Sequence, residues 1–284
     1  MRSTKLTKYL AKRKNQGTVI LCFKILLDNI IENGMDSTML KSEIHSEFDK
    51  QHKNYGIGTF RSDYLLRQSA SSELNAIGVK SDNTTFFIND DFIDGIETID
   101  LKKISDEIKN HFSEIIGKQI AFFEEIKSNL NKSLESRKLF IQEMLTKRET
   151  DKKGQSFEVT SFAILKTFYK IRGFELNRFS TVYSNDGGVD FASQTAVYQV
   201  TTSLSPKKFE EDLQKAPLKQ RIFVYKTATS AFDPSSFEED LVLDHISSDD
   251  LLDHLDYLFK KKPEQNSQMI INEIITEFER EYYI

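Results

Sequence analysis

Apolar residues recur at helical spacing from Thr18 to Ile31, and Asn33-Gly34 closes that run as a C-terminal cap does. A second helix is predicted from Ser37 or Thr38 to Phe48. The polar stretch Asp49 to Gly58 reads as a loop, and Thr59 as the N-cap of a third helix through Ala76. Gly78 and the turn Ser81-Asp82-Asn83 then lead into a short strand, Thr84 to Ile88. Two long helices follow, Leu101 to Ile116 and Lys118 to Lys147. The second carries Ile120, Phe123, Ile126, Leu130, Leu134, Phe140 and Met144 as a stripe suited to core packing, a dimer seam or a spacer. The polar run Lys147 to Gly154 is the expected linker.

Beyond it the period changes. Gln155 to Ile171 is helical, with Phe157, Ile164, Leu165, Phe168 and Ile171 on its buried side, and Gly173 ends it. Phe174 to Tyr183, Val189 to Ala192 and Ala196 to Thr202 are rich in the aromatic and branched residues that suit strands. Ser205-Pro206 starts a helix through Lys215, with proline at the first helical position, and Arg221 to Thr227 is a further strand. Three helices followed by a strand are the order of a winged helix, and the later alternation is that of an α/β sandwich. The expected fold is therefore mixed, α+β or α/β. It comprises a helical winged-helix-like domain over 1–98, a helical connector over 99–150 and an α/β domain with a central mixed sheet over 151–284. In a winged helix the third helix enters the major groove, which makes Arg61, Arg67 and Gln68 candidate DNA contacts; Arg and Gln are suited to bidentate base recognition.

The chain has 284 residues, of which 38% are hydrophobic, enough for two cores. Its one cysteine, Cys22, lies in an apolar run and reads as a small buried hydrophobe, so no disulfide framework forms within the chain. The first apolar run is interrupted by Lys24 and Asp28, too short and too charged for a membrane span. With no export signal or anchor visible, the expected location is the cytoplasm. The net charge of −5 is unevenly spread: residues 232–284 hold 14 acidic against 4 basic side chains, and the rest of the chain has a small basic excess. Such a body remains compatible with a nucleic-acid partner, because phosphate contacts depend on local patches. The histidines at 45, 52, 111, 245 and 254 show no metal-ligand spacing, and His245 and His254 read as surface residues of an acidic segment.

The candidate chemistry lies between Ser184 and Ser203. The hairpin predicted there sets Asp190 beside Gln199 and Thr201, which share one face of their strand while Tyr198, Val200 and Thr202 take the other. Phosphodiester hydrolysis needs an activated water, charge stabilisation at the phosphate and help for the leaving oxygen. Carboxylate-held Mg²⁺ supplies all three. Asp190, at a strand start after Gly187-Gly188-Val189, is the first candidate ligand, with Asp186 as its competitor. The amide oxygen of Gln199 or the carbonyl of Val200 is a further hard donor. Glu158, one turn into the helix after Gly154, would add a second carboxylate.

A helix with Glu158, then Gly-Val-Asp, then Gln-Val-Thr resembles the PD-(D/E)XK nuclease superfamily over Gly154 to Thr227. Its Mrr-like and type II restriction members include a variant with Gln at the Glu position. The resemblance implies a Mg²⁺-dependent type II restriction endonuclease cutting double-stranded DNA at a specific sequence. It also implies a homodimer for a symmetric site and a cognate DNA methyltransferase to protect self-DNA. Thr201 stands where that family has its catalytic lysine. A threonine hydroxyl cannot supply the lysine's charge, and Lys207 or Lys208, near a helix N-terminus, would be the substitutes. The alternative expectation is a DNA-binding regulator or assembly protein whose nuclease-like domain has lost activity with the lysine. A third is an interaction protein built on the long helix.

Overall fold

The computed structural model describes residues 17–55, 79–82, 85–88, 98–148, 154–179, 189–205, 207, 220–228 and 243–282. The chain divides into two compact units, Met1–Ala121 with Tyr282–Ile284, and Phe122–Glu281.

In the first unit, α1 (Gly17–Asn33) ends where expected: Gly34 takes a left-handed φ of 102° and its amide returns to the Ile30 carbonyl at 2.9 Å. A two-residue strand, β1 (Met39–Leu40), precedes α2 (Lys41–Gln51), which therefore begins later than the sequence predicts. The Glu43 side chain accepts from the Leu40 amide and fixes that start. The hairpin β2 (Val79–Asp82) and β3 (Thr85–Ile88) completes a three-stranded antiparallel sheet in the order β1-β3-β2. Ile20, Phe23, Leu27, Ile44, Phe48, Phe86 and Phe112 meet in one core. Cys22 is 1% exposed within it, and burial pushes its thiol pKa up, so it stays protonated as a small apolar side chain does.

The long helices depart from expectation. A single helix, α3 (Thr98–Ser128), runs straight through Gly117, where the sequence reading places a break. A mid-helix glycine costs only about 1 kcal/mol, which the buried Leu101, Ile108, Phe112, Phe123 and Ile126 of the same helix offset. The break falls instead at the short turn Asn129–Asn131, after which the Ser133 hydroxyl accepts from the Ser136 amide and caps α4 (Leu134–Thr146). Of the apolar stripe, Phe123, Ile126, Phe140 and Met144 are buried, whereas Ile120 is 46% exposed.

In the second unit, α5 (Gln155–Lys170) lies against a five-stranded sheet of order β4 (Asn177–Arg178), β5 (Phe191–Ala192), β6 (Ala196–Leu204), β7 (Gln220–Ala228), β8 (Leu243–Ser247). Strands β4, β5 and β6 pair antiparallel, and β6, β7 and β8 pair parallel, so the sheet is mixed. Phe162 of α5 packs on Phe191, and Tyr169 on Tyr198; the β5–β6 register sets Phe191 opposite Tyr198. Tyr198, Val200 and Thr202 thus face α5, and Gln199 and Thr201 alternate to the other side. Gly154, the left-handed residue before α5, comes so close to β6 that a Cβ there would lie 2.9 Å from Thr202 Cγ2. The chain closes with α6 (Ser248–Lys261) and α7 (Pro263–Tyr282).

These last elements, β8, α6 and α7, have no counterpart in the sequence reading, which took the segment for an acidic face. His245 is indeed exposed, but His254 is not a free surface side chain: its ring stacks on Phe168 at 3.9 Å with planes 2° apart. Among the described residues, no helix is long and apolar enough to cross a membrane.

Candidate functional site

The hairpin between β5 and β6 brings Asp190 to Gln199. Asp190 directly precedes β5, and its backbone is tied on both sides: its amide donates to the Tyr198 carbonyl at 2.9 Å, and its carbonyl accepts from the Phe179 amide at 2.8 Å. The side chain turns onto β6, where Oδ2 accepts from Gln199 Nε2 at 2.9 Å and from the Val200 amide at 2.6 Å. One carboxylate oxygen therefore satisfies a strand amide and orients a side-chain amide. Gln199 is 8% exposed, and its Oε1 is buried without a hydrogen-bond partner among the described residues. A buried acceptor left unmatched costs about 1–3 kcal/mol, and a cation or a donor reaching it would remove that cost.

Thr201 is placed differently. Its hydroxyl donates to the Ser203 carbonyl at 3.0 Å and accepts from the Ser203 amide at 3.4 Å, a local turn-like pairing along its own strand. On the parallel side of β6, Phe223 stands beside Gln199 and Tyr225 beside Thr201. In β8, His245 and Ser247 extend the two rows, and the Tyr225 and His245 rings lie 6.2 Å apart. The face bearing Gln199 thus continues through the buried Phe223 to the exposed His245.

Glu158 is engaged elsewhere. Its Oε1 accepts from Arg178 Nε at 3.0 Å and Nη2 at 2.7 Å, while Arg178 Nη1 donates to Glu277 Oε2 at 2.8 Å. Arg280 in turn donates to the second oxygen of Glu277 at 2.8 Å. Arg178 opposes Phe191 in the β4–β5 pair, which sets it on the α5 side of the sheet, the opposite side from Gln199. The arrangement joins Asp190 with Gln199, and Glu158 with Arg178. Sequence reasoning singled out neither Arg178 nor Glu277; their pairing across 99 residues leaves no local signal.

Gln199, with its unmatched oxygen, and the Asp190 carboxylate are the groups that would hold a hard cation such as Mg²⁺, which is commonly bound by one or two carboxylates and completes its shell with water and substrate phosphate. No group of three or more His, Cys, Asp or Glu side chains is disposed to hold a metal ion among the described residues. Lys207 is an exposed helical residue. Arg61, Arg67, Gln68, Lys208 and Asp186 lie outside the described residues. Compared with protein-family models, with curated proteins and with solved structures, the chain matches none.

Proposed function

We propose that the protein is a Mg²⁺-dependent, site-specific nuclease of double-stranded DNA, of the type II restriction kind. The observation that carries this reading is the Asp190–Gln199 pair, a carboxylate that accepts from the Gln199 amide nitrogen while the amide oxygen has no partner among the described residues, set where the antiparallel strands of the mixed sheet meet the parallel ones. The order helix, antiparallel strands, parallel strand, with α5 leading into the sheet, supports the same reading, as does the resemblance of Gly-Val-Asp and Gln-Val-Thr to the PD-(D/E)XK pattern. When bound, Mg²⁺ would activate water and neutralise charge on the scissile phosphate. Asp190 holds its position through β6 rather than through solvent, so the site is set before substrate arrives.

The order helix, strand, helix, then a hairpin whose second strand pairs with β1, supports a winged-helix module in the first unit, with Arg61, Arg67 and Gln68 as its DNA contacts. A homodimer and a cognate methyltransferase belong to the same proposal. Incubating the purified protein with unmethylated phage DNA in Mg²⁺ tests it, with EDTA and Asp190→Ala as controls. Discrete fragments lost in both controls support it, and intact DNA under all metal conditions refutes it.

A second reading rests on a specific observation: Thr201 is occupied with Ser203, and Glu158 is neutralised by Arg178. A DNA-binding protein with an inactive nuclease-like domain would have such a site. It would shift a duplex in a gel without cutting it, and equally well as Asp190→Ala.

A further inference from the structure

At the far end of α5 from Gly154, a cavity of about 470 Å³ opens on the α5 side of the sheet, away from Asp190 and Gln199. That volume lies within the roughly 300–1,000 Å³ typical of small-molecule sites. Its floor is Tyr198, 4% exposed, with Tyr169 of α5 beside it. Burial, and secondarily the Tyr169 hydroxyl, pushes the Tyr198 phenol well above its ordinary range, so it is a neutral donor and acceptor. Gln194, in the β5–β6 turn, and Gln220, at the start of β7, contribute amides to the wall. Each offers a donor and an acceptor in one plane, the pattern that matches the edge of a nucleobase.

The rim carries two further features. Phe174 stands 64% exposed at the mouth, a large apolar ring facing water. Arg172 is pinned there: its guanidinium lies 3.5 Å over the Phe168 ring and 4.9 Å from that of Tyr257, and Nη1 donates to the Phe168 carbonyl at 3.0 Å. A guanidinium fixed on aromatic planes has lost its side-chain freedom already, so it binds an anion at little further entropic cost.

We propose that this cavity binds a nucleotide unit, with the planar base stacked on Phe174 and read by the Gln194 and Gln220 amides and the tyrosine hydroxyls, and the phosphate held by Arg172. The unit is either a free mononucleotide or a base extruded from a nucleic-acid strand; both present the same chemistry. The site is separate from Asp190, and its assignment does not rest on cleavage.

Isothermal titration of the full chain with the four deoxymononucleotides, their nucleosides, ribose 5-phosphate and a short single-stranded oligonucleotide tests it. At least one mononucleotide binds saturably, one per chain and at least tenfold more tightly than its nucleoside. Phe174→Ala weakens binding at least tenfold with an unchanged melting temperature, Arg172→Ala removes the advantage of nucleotide over nucleoside, and Asp190→Ala leaves the affinity as it was. Tighter binding of the oligonucleotide with the same Phe174 dependence assigns the site to an extruded base, and mononucleotide binding alone assigns it to free nucleotide. No saturable binding at millimolar ligand, ribose 5-phosphate binding as tightly as the nucleotides, or affinity indifferent to both rim variants overturns the proposal.

Discussion

Arg178 and Glu277 meet at 2.8 Å with side chains 0% and 2% exposed, a guanidinium and a carboxylate almost wholly removed from water. Deleting one partner of such a buried pair typically costs about 3–5 kcal/mol, and here Arg280 would still hold one oxygen of Glu277, so the lower end is expected. Arg178→Met is expected to destabilise the second unit by that order, measured by urea unfolding. The double variant Arg178→Met with Glu277→Met is expected to recover part of the loss, because apolar side chains of similar length leave only Glu158 to rehydrate. Equal destabilisation in the single and double variants would show the pair to be energetically idle.

Asp190 is structural as well as chemical in its placement. Asp190→Ala leaves the Val200 amide and the Gln199 side chain without their acceptor, at a cost of about 1–3 kcal/mol. A lower melting temperature is thus expected beside any loss of cleavage, and activity assays on this variant belong well below its melting point.

Gln199→Glu offers a reading of the cation site that does not depend on catalysis. The change sets a second carboxylate against Asp190, so in EDTA the variant is expected to melt below the wild type. Mn²⁺ or Mg²⁺ is then expected to raise its melting temperature more than that of the wild type, by neutralising the pair. A variant insensitive to divalent ions would count against the cation site.

Gly154 allows α5 to start against β6. Alanine there meets both a φ of 83° and the Thr202 methyl group at 2.9 Å, for an expected loss of about 1–3 kcal/mol. Adding Thr202→Ser removes the methyl but not the dihedral strain, so thermal unfolding of the double variant is expected to fall between the single variant and the wild type.

His254 gives the second unit a pH dependence. Burial lowers its pKa first and Arg172 adds to this, while Asp250 and Asp253 pull the other way; the net shift is downward from an ordinary histidine. The unfolded chain therefore takes up the proton first. Stability is complete above about pH 6.5, declines as the pH falls through that value, and levels off below the lowered folded pKa. His254→Phe keeps a ring on Phe168 and is expected to flatten this part of the profile. In the first unit His45, whose pKa is also lowered, chiefly by burial, gives a dependence of the same sign.

The Asp190–Gln199 pairing was legible because it is local. A glycine-rich turn and the two-residue period of strands suffice to bring the two together. The ends of α1 and α5 were legible for a similar reason, since Gly34 and Gly173 carry the left-handed conformation that stops a helix. Gly117 misled because it looks the same in sequence but sits inside a helix. The apolar spacing Leu251, Leu255, Leu258 of α6 was present, yet the surrounding aspartates outweighed it in the reading. Glu158 could not be placed without Arg178, whose choice of partner depends on tertiary packing alone.

Glu277 lies on α7, far along the chain from β4, which carries the guanidinium it neutralises. During synthesis Arg178 and Glu158 leave the ribosome long before α7 does, and until then the corner between α5 and β4 lacks its second counterion. Closing a loop of 99 residues is also a slow, entropically costly contact. The second unit is therefore expected to mature only once α7 has emerged from the ribosome, and a nascent chain stalled before α7 to remain open to proteolysis at that corner.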